Sequence, residues 1–82
     1  VTTFIKATGQ AIRAVRRAKE PKLTQAGLAE ELKKHGKGWT QKKVSLIEAG
    51  RQAPNVEELE QIARALECDL KELLLDAVER MR

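Results

Sequence analysis

Glycine and proline cut this chain into pieces that suit only short helices, and that punctuation limits the fold more than any other feature. Pro21 closes a first segment, because the residue before a proline is driven out of the helical region. Gly36-Lys37-Gly38 closes a second, Gly50 a third, and Ala53-Pro54-Asn55 opens a fourth. Between the breaks, apolar residues recur at helical spacing. Ile5, Ile12 and Val15 share one side of a helix expected over about residues 4–19, with Ala7, Ala11 and Ala18 filling that side. Lys6, Arg13, Arg17 and Lys19 form its outer face, and Gly9 inside it marks close packing by a neighbour. Leu28, Ala29 and Leu32 define a second stripe, and Val44 and Ile47 a third. Val56, Leu59, Ile62, Ala63 and Leu66 define a fourth, followed by Leu70, Leu73, Leu74, Ala77, Val78 and Met81. Thr24, Thr40, Asn55 and Asp69 stand where N-caps belong, each with an oxygen able to accept from an unpaired amide. No segment alternates as a strand does. The expected fold is all-α, with five helices.

At 82 residues the expectation is one domain over 1–82, with a core over about 10–74 and a C-terminal helix over about 69–81. Hydrophobic residues are 41% and charged ones 34%, the balance of a globular chain. The net charge of +4 is unevenly spread: residues 1–52 hold 12 basic and 4 acidic side chains, whereas residues 53–82 hold 4 and 8. The first part therefore suits a polyanion and the second does not. No apolar run approaches the ~20 residues of a membrane span, and no signal-peptide core stands at the N-terminus. Cys68 is the only cysteine and His35 the only histidine, too few for a zinc site, a disulfide or a Cys-His catalytic pair. No metal, no cofactor and no enzymatic activity are expected, and a reducing cytoplasm is the expected compartment.

The segment from Leu23 to Asn55 carries the functional signal: two short helices with Thr caps, a glycine-containing turn between them, then Glu48-Ala49-Gly50-Arg51. Together with Ile12-Arg13, Val15-Arg16, Leu28-Ala29, Leu32, Val44-Ser45, Ile47, Pro54, Leu59, Ile62-Ala63 and Ala65-Leu66, this ordered set resembles the lambda-repressor-like, or XRE-type, helix-turn-helix family. The resemblance spans residues 10–74. It implies a compact five-helix domain whose second and third helices form the helix-turn-helix, and sequence-specific binding of double-stranded DNA as a transcriptional regulator of the prokaryotic or phage repressor type. Such a regulator would lie with the nucleoid.

The physical requirement is plain. A major groove about 12 Å wide admits one helix, which its neighbours must hold proud of the body. Val44 and Ile47 anchor the third helix inward, leaving Gln41, Lys42, Ser45 and Leu46 on or beside its outer face. In the family the N-terminal end of this helix meets base edges, so these four are the candidate base readers. Helix-start amides favour a phosphate, which suits Thr24, Gln25 and Thr40, while Lys43, Arg51 and Lys37 would add positive charge. Arg16 and Glu48 match positions that form a structural ion pair in relatives.

Two features depart from the family. Leu46 stands where a long polar residue is common; it either touches a thymine methyl or packs on the body. Six residues separate Leu32 from Trp39, where the family has a much shorter connection, so the extra residues lengthen either the second helix or the turn. Trp39 is then a plug between helices rather than a stacking platform, since stacking suits single strands. The last helix has more apolar residues than one helix normally buries. Its surplus, at Leu74, Leu75, Val78 and Met81, either packs on the first helix near Phe4 or pairs two copies in a homodimer. The rival to DNA binding is a protein-interaction module that keeps the fold.

Overall fold

The computed structural model describes residues 2–82, among which five helices and no strands occur: α1 Phe4–Arg17, α2 Gln25–Leu32, α3 Gln41–Glu48, α4 Val56–Ala65 and α5 Leu70–Arg80. Every helix begins on a side-chain cap. Thr3, Thr24 and Thr40 accept from the amides of Lys6, Gly27 and Lys43, at 3.3, 3.0 and 3.1 Å. Asn55 and Glu58 cap α4 reciprocally, each side chain accepting from the other's backbone amide, and Asp69 caps α5.

The ends are equally local. Gly50, at φ +75°, follows α3; its amide bonds to Ile47 O while the Arg51 amide reaches Leu46 O. This paired closure needs a left-handed residue, which glycine supplies without a steric cost. The same closure ends α4 through Glu67, at φ 54°, with the Cys68 amide on Ala63 O. The first helix stops at Arg17, two residues short of the expected Lys19. Arg16 turns inward and its Nη1 donates to the Leu23 carbonyl at 3.0 Å, so the chain must fold back at once to bring Leu23 to it.

One apolar cluster joins all five helices. Ala7, Ala11 and Ile12 of α1 meet Leu28, Ala29 and Leu32 of α2, Val44 and Ile47 of α3, Ile62 and Leu66 of α4, and Leu73 and Ala77 of α5. The most extensive helix contact is α1 with α5, where the alanines of α1 allow close approach. Thr8 lies in this interior with its hydroxyl unpartnered. No helix is long and apolar enough to cross a membrane among the described residues.

The residues inserted before Trp39 lengthen the turn, not the helix. The second helix ends at Leu32, and the amides of His35 and Gly36 both bond back to its last carbonyl, at 2.9 and 3.1 Å. The turn then lies against α4. A Cβ on Gly36 would come within 2.3 Å of Gln61 Oε1, and the same oxygen accepts from Trp39 Nε1 at 2.7 Å. Trp39 is 2% exposed, a buried plug beside the start of α3.

Candidate nucleic-acid interface

Eight residues make α3, and at 100° per residue they divide cleanly. Val44, Ile47 and Glu48 are buried; Thr40, Gln41, Lys42 and Ser45 are exposed, and Leu46 is half-buried at the boundary. Because the long turn lies along α4, it leaves the side chains of Gln41 and Lys42 open to solvent. The Thr24 cap of α2 is exposed as well, as are Lys37 on the turn and Arg51 beyond α3.

Beneath α3 the packing is rigid. The backbone of Gly9 lies so near α3 that a Cβ there would come within 2.3 Å of Ile47 O and 2.6 Å of Glu48 O. Any side chain at position 9 would force α1 and α3 apart. Beside this contact, Arg16 Nε donates to Glu48 Oε2 at 2.7 Å and Nη2 to Oε1 at 3.0 Å, a two-pronged ion pair. Gln25 Nε2 donates to the same Oε1 at 3.0 Å, which commits its side chain to Glu48 rather than to solvent. With Arg16 Nη1 on Leu23 O, each group of the pair has a partner, as burial at 8% and 2% side-chain exposure demands.

Lys43 departs from the other cations. Its ammonium pairs with Glu58 of α4 and sits 4.7 Å from the centroid of the Trp39 ring. It therefore turns away from the face that carries Gln41 and Lys42, and in this conformation has no free charge for a phosphate. The reason is tertiary: Glu58 is drawn close by the α4 capping box and by the turn that seats Trp39. Burial pushes the Glu58 carboxyl up, but the bonds from Lys43 and the Asn55 amide, with the Lys43 charge, outweigh it and hold the group below its ordinary value. Gln61 and Glu58 were not singled out among the sequence candidates. Gln61 carries no local signal, and Glu58 stands in the first turn of α4, where an acid suits the positive helix end without pointing to Lys43.

On α5, Leu73 and Ala77 face the core and Met81 packs against it. Leu70, Leu74, Leu75 and Val78, with Lys71, line a shallow groove on the opposite side, and Leu75 and Val78 are 54% and 41% exposed. Phe4 remains 43% exposed. Of the surplus apolar residues, Met81 thus packs on the core, whereas Leu74, Leu75 and Val78 line the groove. Cys68 is half-buried; burial raises its thiol pKa, partly offset by Lys19 and reinforced by Asp69 and Glu72.

A capped, exposed third helix braced on a second of equal length is the arrangement of a helix-turn-helix protein, and the chain belongs to the helix-turn-helix domain family, whose model matches residues 8–75. Among solved structures it is similar to the clp gene regulator ClgR from C. glutamicum, at 25% identity and a TM-score of 0.85. That alignment covers 99% of this chain and 95% of the other. A comparison with curated proteins returns no match.

Proposed function

We propose that this protein is a DNA-binding transcriptional regulator that reads duplex sequence with α3, as a homodimer of the prokaryotic or phage repressor type. The coarser part, a DNA-binding regulator, is supported by family membership and by similarity to a protein described as a gene regulator. The observation that carries the finer part is the division of α3: three buried residues hold the helix while Gln41 and Lys42 at its start and Ser45 one turn on stand exposed. Gln41 suits adenine, whose N6 and N7 offer the donor and acceptor an amide needs. Lys42 suits guanine O6 and N7. Ser45 keeps the helix slender, and Leu46 at the boundary offers an apolar edge to a thymine methyl. Thr24 and Thr40 present helix-start amides to phosphates, with Lys37 and Arg51 adding charge. Lys43 is left out of this set because Glu58 holds it.

Dimerisation would use the groove of Leu70, Leu74, Leu75 and Val78. A two-fold axis at Leu75 between antiparallel α5 helices would set Lys71 of one copy opposite Glu79 of the other, adding charge complementarity to the apolar seam. Selection from a random duplex pool tests both halves of the reading. Enrichment of an inverted repeat with half-sites about one helical turn apart is expected. Failure to enrich any sequence would leave the second reading, a protein-binding module, which the apolar groove and Leu46 favour.

A further inference from the structure

The lengthened turn creates a mechanical problem at the start of α3. In a helix-turn-helix, a short connection ties the first turn of the reading helix to the helix before it. Here six residues separate Leu32 from Trp39, so although α2 packs against α3, the connection itself does little to fix Thr40 and Gln41. Base reading needs side chains held to about half an ångström and 10–20°. A further restraint on this end is needed.

It comes from α4. Trp39 directly precedes the Thr40 cap, is buried, and donates from Nε1 to Gln61 Oε1 at 2.7 Å. One turn later Lys43 lies over the Trp39 ring and pairs with Glu58. Glu58 is itself fixed, since its Oε1 accepts from the Asn55 amide at 3.0 Å. With 22% and 17% side-chain exposure, the Lys43–Glu58 pair is partly shielded from water. We infer that Lys43, held by Glu58 and Trp39, is a positioning residue that sets the tilt of the reading helix, not a phosphate contact. This rests on the DNA-binding reading above. Lys42 and Lys43, adjacent in sequence, thus do opposite work: one faces the duplex and the other anchors the helix that presents it.

The test uses the full chain with Lys43→Met and Glu58→Gln. Methionine keeps an unbranched stem over Trp39, and glutamine keeps the acceptor that the capping box needs. Each protein is titrated against the duplex the wild type enriches and against a scrambled duplex of equal length, over a series of salt concentrations. Both variants are expected to lose about tenfold on the enriched duplex, the scale of one lost base contact. On the scrambled duplex they should stay within about twofold, with the salt slope unchanged, because no phosphate contact is removed. Lys43→Arg should restore most of the loss, since a guanidinium can hold Glu58 and stack on the indole.

A masked phosphate donor would behave in the opposite way: Glu58→Gln would tighten both duplexes, and Lys43→Met would flatten the salt slope by about one. That result overturns the inference, as does wild-type selectivity in both variants. If Lys43→Met loses its helical circular dichroism, Glu58→Gln alone decides, because the sign of its effect separates the two roles. A wild type that enriches no duplex removes the functional reading and the inference together; a selective wild type with indifferent variants removes only the inference.

Discussion

The two ends of α3 are both held by ion pairs, yet the pairs sit in different surroundings. At the C-terminal end, Arg16 and Glu48 are almost fully buried, joined by two hydrogen bonds, and bordered by the backbone contact at Gly9. At the N-terminal end, Lys43 and Glu58 are partly solvated, and the indole of Trp39 supplies the remaining contact. The first arrangement ties α3 to α1 at the centre of the molecule; the second ties it to α4 at the edge, beside the long turn between α2 and α3. Burial raises what is lost when one partner is removed, because the survivor is left charged and dry. Exposure lowers it, because water takes the vacated place. One end should therefore govern whether the protein folds, and the other how its reading helix is aimed.

Replacing Glu48 by Ala should have the largest effect, a loss of about 3–5 kcal/mol in urea unfolding, as Arg16 is left unpaired inside. A loss near that of Lys42→Ala, an exposed site where about 0.5 kcal/mol is expected, would put both ends on an equal footing and break the contrast. Gly9→Ala should follow at about 2–3 kcal/mol, since the new methyl meets two backbone oxygens that cannot rotate aside. A neutral result would mean that α1 and α3 separate easily.

Glu58→Gln should cost only about 0.5–1 kcal/mol at neutral pH. Its dependence on acid sharpens the comparison further. The folded pKa of Glu58 lies below its ordinary value of 4.5, so its contribution is fully present above that pH and is lost as pH falls through the lower folded value. The gap between wild type and Glu58→Gln should close in that window. A gap that stays constant down through it would show that the charge of Glu58 adds nothing.

What could be read in the sequence was what is decided locally. Thr24, Thr40, Asn55 and Asp69 cap helices because a cap needs only an oxygen and amides two or three residues on. The five apolar stripes were legible for the same reason, except that Ile5 and Val56, assigned to them, are 41% and 75% exposed; Gly9 signalled a close neighbour because glycine has no local purpose mid-helix. The stop of α1 at Arg17 was not legible: it depends on where Arg16 points. Periodicity left open whether the extra residues before Trp39 extend a helix or a turn, and the choice follows from how the turn packs on Gln61. The orientation of Lys43 was least accessible. Its partner stands fifteen residues on, in another helix; helical spacing sets Lys42 on the outer face but gives Lys43 no partner until α4 is in place.

Major-groove entry by the start of α3 is open to direct measurement. Guanine N7 lies in that groove, and methylating it removes an acceptor without disturbing the minor groove or the phosphates. Duplex carrying the enriched site, methylated at guanine N7, should bind the wild type weakly, and Lys42→Ala should lose that sensitivity at one position in each half-site. Binding of the wild type to the methylated duplex as tightly as to the plain one would contradict it.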